Sequence, residues 1–241
     1  MNKDPKRENS KKGAVTFLDV VGWLGIWQRR PDAILQLTNL IEEIEDFAKV
    51  QFSGASRGVS TEILSISDTI VLLTDSNDPR DVLRLHLQLS AKVIALSLQK
   101  GIPIRGATSY GEYNNSSNIL VGPAIDEAAS WHENSEWFGN FLTPSAHFLV
   151  KEYNEPYISS YTVPTKNSKK YTTFCSNWTK YFFETIPKVP EKRQKLIDAF
   201  VEMGPIIPSV SDKYLNTMDF YNEVTKSRNN KRTSKSIRRI K

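Results

Sequence analysis

The chain has 241 residues, enough for one large domain with a full core, and 39% of them are apolar, which excludes global disorder. A single cysteine, Cys175, excludes a disulfide framework. Eight of its 32 Lys and Arg fall in 226–241, which has no acid; the other 24 stand against 27 Asp and Glu, so a mildly acidic body carries a basic tail.

No apolar run approaches the ~20 residues that a membrane span needs. The opening MNKDPKRENSKKG is charged and lacks the apolar stretch of a secretory signal. A cytoplasmic location is expected. The tail reads as a solvated, disordered terminus. No recognised nucleic-acid-binding module accompanies it, so nucleic acid is not expected as a partner.

In chain order, AVTFLDV at 14–20 reads as a short buried strand ending in an aspartate. The next six residues, 20–25, read as a turn into a short helix whose free amides suit a phosphate. Residues 31–50 place Ile34, Leu37, Leu40, Ile41, Ile44, Phe47 and Ala48 at helical spacing behind Pro31. VSTEILSI at 59–66 and TIVLLT at 69–74, joined by Ser67-Asp68, predict a hairpin. Asp78-Pro79 and Gly101 bracket a long helix over 78–100. Strands are expected at 103–112 and 118–121, and Gly122-Pro123 opens a helix to about Asn134. The order β-α-β-β-α-β-β-α indicates an α+β fold with helices on one face of the sheet. Beyond residue 140 the pattern weakens. YISSYTV and YTTFCSNW suit strands, and 190–203 and 210–225 suit helices.

Asp19, at a strand end, and Asp68, at a hairpin tip, lie inside apolar runs that do not need a charge for packing. A buried charge is costly unless it is paired or metal-bound. If the strands are neighbours, both carboxylates converge on one site suited to hard divalent ions that handle phosphates. The alternative reading makes them a helix cap and a turn residue. His86, His132 and His147 lack zinc-ligand spacing. Trp131 and Trp137 read as core or dimer contacts.

Three segments, FLDVVGWL, SISDTIVLL and PIRGATSYGEYNN with LVGPAIDEAAS, together resemble the class III nucleotide cyclase domain over roughly residues 13–135. The resemblance implies that family's ferredoxin-like antiparallel sheet. With the composition and pattern of the remainder, the chain is read as a disordered 1–12, a catalytic domain at 13–145, an α/β extension at 146–225 packed on it, and a basic disordered tail at 226–241. It implies two Mn²⁺ or Mg²⁺ ions on Asp19, the Val20 carbonyl and Asp68, with the amides of Val21, Gly22, Trp23 and Leu24 receiving the triphosphate.

The departures from the family pattern are specific. Leu64 stands where purine cyclases carry a Lys or Glu, and Ile119 where they carry a base-reading Asp or Cys. Asp126 and Ser130 stand where they carry the transition-state Asn and Arg. The combination is similar to the pyrimidine cyclases of bacterial anti-phage systems. It implies conversion of UTP or CTP to 3′,5′-cyclic UMP or cyclic CMP by a homodimer with shared sites, the product activating an effector protein. Arg105 and Asp126 are the catalytic candidates, and Arg29, Arg30 and Lys100 are further cations for the α-phosphate. Arg105 has a competing reading as a structural ion pair with Glu112 or Asp126. Trp27, Gln28 and Arg29 lie in the expected base region. A purine cyclase and a catalytically degenerate nucleotide-binding module are the alternatives.

Overall fold

The computed structural model describes residues 10–23, 30–54, 61–116, 119–166, 170–186, 188–204, 206 and 208–237. Strand β1, Lys11–Val20, is central, with β3 (Thr69–Asp75) antiparallel on one side and β4 (Ile104–Ser116) antiparallel on the other. Covered on both faces, it reads as a near-continuous apolar run rather than an alternation. It begins at Lys11, inside the stretch expected to be disordered. β2 (Thr61–Ile66) completes the expected hairpin with β3, and β5 (Ile119–Val121) pairs with the far end of β4. Ser67, the first residue of the two-residue turn, takes the left-handed φ of 58° that such tight hairpins use.

The sheet has eight strands, in the order β2-β3-β1-β4-β6-β8-β7, with β5 off this path. β6 (Asn140–Leu142) runs parallel to β4, while β7 (Ile158–Pro164) and β8 (Lys170–Ser176) form an antiparallel pair. The strands of 146–225 thus continue the same sheet.

Helix α1 (Ala33–Gly54) and helix α2 (Pro79–Gln99) cover one face. Leu37, Leu40 and Ile44 of α1 pack in one core with Leu18, Ile70 and Leu72 of the sheet. Asp78 caps α2 by accepting from the amides of Arg80 and Asp81 at 3.1 and 3.3 Å, with Pro79 in the first turn. The expected helix over 123–134, α3 (Pro123–Asn134), is present but lies on the opposite face, against Val15, Val71, Leu73 and Tyr113. Its buried stripe of Ala124, Ile125, Ala128 and His132 lets it sit close to the strands. Helical cover is therefore two-sided, which order along the chain does not specify.

The C-terminal part adds the short α4 (Pro144–His147) and α5 (Thr179–Phe182), then α6 (Val189–Glu202) and α7 (Pro208–Ile237). α7 inserts Phe220 beside Trp137, Trp178 and Tyr161, and it runs on into the segment read as a tail. No helix among the described residues is long and apolar enough to cross a membrane.

A buried hydrogen-bond chain crosses the sheet on the α2 side. His86 of α2 joins Thr16 Oγ1 (2.7 Å) and Thr74 Oγ1 (2.8 Å). Thr16 Oγ1 meets Thr108 Oγ1 at 2.7 Å, and Asn140 Nδ2 donates to Thr108 Oγ1 (2.9 Å) and Ser176 Oγ (3.3 Å). Buried polar groups such as these are tolerated only when satisfied. The neutral imidazole fits because it donates from one nitrogen and accepts at the other.

Burial pushes the His86 pKa down from 6.5 to about 3. Between those values the unfolded chain takes up a proton that the folded one refuses. Stability is therefore lost as pH falls through that window, at up to about 1.4 kcal/mol per pH unit, and the effect is absent above pH 7. His86→Gln removes this contribution. Urea unfolding at pH 7.5, 6 and 5 should show the gap between wild type and variant narrowing as the pH drops. An unchanged gap would contradict a buried, neutral His86.

Candidate active site

The β1–β4 register decides which side chains meet. Thr16 opposes Thr108 on the α2 face, and three residues further along Asp19 opposes Arg105 on the α3 face. Arg105 Nε donates to Asp19 Oδ2 at 3.0 Å, and Arg105 Nη1 donates to the Glu133 carbonyl at 3.0 Å. Each side chain of the pair is 16% exposed. The ion-pair partner of Arg105 is thus Asp19, not Glu112 or Asp126. Glu112 sits farther along β4, opposite Lys12.

Asp68 reaches the same end of the sheet through its turn. Thr69 opposes Asp19, and the amide of Val20 donates to the Asp68 carbonyl at 3.1 Å. Asp68 is half-buried. The two carboxylate-bearing residues stand at adjacent strand ends, locked by a backbone hydrogen bond.

The residues after Asp19 behave differently from the expected row of free amides. The Val21 amide donates to Pro103 O at 2.8 Å, tying it to the approach to β4. Val21 is therefore corrected as a phosphate donor: its N–H is already used. Gly22 adopts φ 78°, a turn, and Trp23 packs partly buried against the main core. Leu24, like Trp27, Gln28 and Arg29 of the expected base region, lies outside the described residues.

Two other candidate cations have structural work. Arg30 donates to the carbonyls of Gly101 (2.6 Å) and Lys100 (3.3 Å), binding the chain just past the end of α2. Lys100 pairs with Glu43 at 2.8 Å. Asp126 is exposed in the first turn of α3, seven residues and roughly 10 Å of helix from Glu133. It does not join Asp19 and Asp68 within this chain. Ser130 is likewise exposed.

Sequence reasoning missed Glu133 and His132 as neighbours of the pair. His132 is buried and stacks on Phe17 at 5.7 Å. Burial lowers its pKa, against the opposing pull of the Asp19 charge. The signal was present in the helical spacing of Ile125, Ala128 and His132, but the face they meet was not.

Asp19 and Asp68 offer oxygen donors, the set hard divalent ions take, and Asp19 keeps Oδ1 beyond its contact with Arg105. Among the described residues no cluster of three or more His, Cys, Asp or Glu forms a denser metal site. The donor chemistry fits an ion held by two carboxylates.

No protein-family model matches the chain, and no curated protein matches it either. Solved structures do. The catalytic core of a rhodopsin-guanylyl cyclase with converted specificity, in complex with ATPαS, is 17% identical with a TM-score of 0.50, covering 70% of this chain and 97% of that one. A Trypanosoma brucei adenylate cyclase in its monomeric state is 10% identical with a TM-score of 0.47, covering 73% and 90%. An adenylate/guanylate cyclase/hydrolase from Silicibacter pomeroyi is 17% identical with a TM-score of 0.46, covering 69% and 97%.

Gly106, beside Arg105, is required by close approach. A Cβ there would lie 2.5 Å from both Leu18 Cδ2 and the Phe17 carbonyl oxygen. Gly22 needs its φ but has open space around it. Gly106→Ala is expected to lose about 1–3 kcal/mol by overpacking the β1–β4 seam, and Gly22→Ala about 1 kcal/mol by backbone strain alone. Chemical denaturation of both variants tests the ranking. The chain has the mixed, mostly antiparallel α+β fold of a class III nucleotide cyclase catalytic core.

Proposed function

We propose that the chain is a nucleotide cyclase that joins the ribose 3′-oxygen of a pyrimidine triphosphate to its α-phosphate and expels pyrophosphate. The observation that carries the reading is the convergence of Asp19 and Asp68 at adjacent strand ends, joined by the Val20–Asp68 hydrogen bond, on this fold. Their oxygens, with the Val20 carbonyl, would hold two divalent ions. Such ions, when bound, lower the pKa of the attacking hydroxyl and offset charge on the leaving pyrophosphate.

The protein's own share is positioning and charge. The sheet register fixes the backbone of Asp19 and a two-residue turn that of Asp68, so both carboxylates are presented from rigid positions. Arg105 brings a permanent positive charge to the same strand ends, where negative charge would develop on the α-phosphate. Gly22, Trp23 and Leu24 remain candidates for seating the outer phosphates. Asp126 lies away from its own chain's carboxylates. That supports a homodimer in which the partner's α3 completes each site.

The pyrimidine assignment rests on what the base would meet. Leu64 packs its apolar side chain with the α3-side core, and Ile119 is an exposed aliphatic residue on β5. They stand where purine cyclases carry their base-reading residues, and the absence of that pair is what favours a pyrimidine over ATP and GTP. The pyrimidine is UTP or CTP. The cyclic product would serve as a second messenger in anti-phage defence, acting on a separate effector.

Incubation with each of ATP, GTP, CTP and UTP and Mn²⁺, with the product identified by mass spectrometry, tests this. Cyclic UMP or cyclic CMP should form, and Asp19→Ala and Asp68→Ala should each lower turnover at least about 100-fold, since each removes a carboxylate that would ligate the ions. Conversion of only ATP or GTP would overturn the pyrimidine assignment. No cyclic product from any of the four would leave a degenerate binding module.

A further inference from the structure

The carboxylate that would hold an ion is already held. Arg105 Nε, not the outer guanidinium nitrogens, points at Asp19 Oδ2. Arginine does not deprotonate in proteins, so the guanidinium stays charged. A dication approaching Asp19 therefore meets a fixed positive charge at hydrogen-bond distance from its own ligand.

The guanidinium is not free to swing away. Its Nη1 is anchored on the Glu133 carbonyl, at the end of α3 where unpaired carbonyls carry partial negative charge. That anchor is itself fixed. Just beyond it, Glu136 takes two hydrogen bonds from the buried Lys213 Nζ, at 2.9 and 3.0 Å, and the Phe138 amide donates to Thr217 Oγ1 at 2.8 Å. Both of those partners belong to α7. The far side of the loop returns to the strand that carries Arg105, because the Gly139 carbonyl accepts from the Gly106 amide at 2.8 Å.

We propose that Arg105 competes with the metal ion for Asp19, holding the carboxylate when no ion is bound and lowering the affinity of the bare site. This rests on the reading of Asp19 as an ion ligand. Because the Glu133 anchor stays in place, the guanidinium charge remains in the site beside any ion, and an ion that draws in both Asp19 oxygens also displaces the Nε–H to Oδ2 hydrogen bond. The site is thus weak for an ion arriving alone.

Mn²⁺ titration of the nucleotide-free protein tests this without any turnover, following free Mn²⁺ by electron paramagnetic resonance. Removing a fixed positive charge at hydrogen-bond distance from the ligand removes a Coulomb repulsion on the arriving dication, partly screened by solvent at the strand ends. Arg105→Gln should therefore bind Mn²⁺ about tenfold tighter than wild type. Arg105→Lys, which keeps the charge, should stay near wild type, and Asp19→Asn should bind more weakly than either.

If Arg105→Gln binds no tighter while Asp19→Asn still weakens binding, the ion site stands and the competition fails. If Asp19→Asn binds as wild type does, the ion reading of Asp19 fails, and the proposal with it. A measurement on the wild type removes any dependence on how the variants fold. The Arg105 Nε–H, observed by ¹⁵N NMR, should exchange with water slowly without metal and faster on adding Mg²⁺. Unchanged exchange at saturating Mg²⁺ would overturn the proposal.

Discussion

The pairing register of β1 with β4 is the constraint on which the rest of the site depends. Side chains alternate between sheet faces, so a slip of one residue would turn Asp19 toward the apolar core beneath α1 and α2. The register is pinned from the opposite face. Thr16 meets Thr108 in the buried chain that runs from Thr74 through His86 to Asn140 and Ser176. In a slipped register these hydroxyls would lose their partners, and unsatisfied buried polar groups cost about 1–3 kcal/mol each. The polar chain and the ion pair are thus two consequences of one alignment. One is dry and structural, and the other is partly exposed at the strand ends.

The C-terminal part participates in that arrangement. β8 reaches the sheet through Phe141–Cys175, and Ser176 ends the polar chain. α7 packs Phe220 against two fully buried tryptophans and grips the segment from Glu136 to Phe138 through Lys213, Asn216 and Thr217. A buried lysine on a part-buried glutamate is costly to desolvate and adds little net stability. What the pair does supply is a fixed position for the loop between α3 and β6, and both ends of that loop contact the Arg105–Gly106 step of β4. Residues far along the chain therefore set the posture of a side chain at the candidate site.

The legible parts of this structure were those with local signals. The Asp78-Pro79 start of α2 and its end before Gly101, the Ser67-Asp68 turn and the Gly122-Pro123 helix start each depend on a few adjacent residues. β6 has three residues, too few to show a period, and owes its place to pairing with β4. The face chosen by α3 was hidden for a related reason: its stripe is of small residues, which announces a close approach but not to which side. Asp19 and Asp68 were legible as candidates because charges inside apolar runs are conspicuous. The partner of Arg105 was not, since β1 and β4 are 86 residues apart at that contact and only the register joins them.

The Asp19–Arg105 pair also separates two demands on the same carboxylate. At 16% exposure an unpaired aspartate would be poorly solvated, and the folded chain needs some cation near it. A permanent arginine meets that need without any ion. The same solution sets the cost of using the carboxylate for anything else. A group that takes both Asp19 oxygens must offer more than the single Nε–H bond it replaces, and any group there must tolerate the guanidinium that stays behind on Glu133. A dication brought in by a polyanionic triphosphate satisfies both conditions, because the phosphates offset the combined positive charge of ion and arginine. On the proposed reading, the geometry that stabilises the empty site is what favours an ion and its nucleotide arriving together.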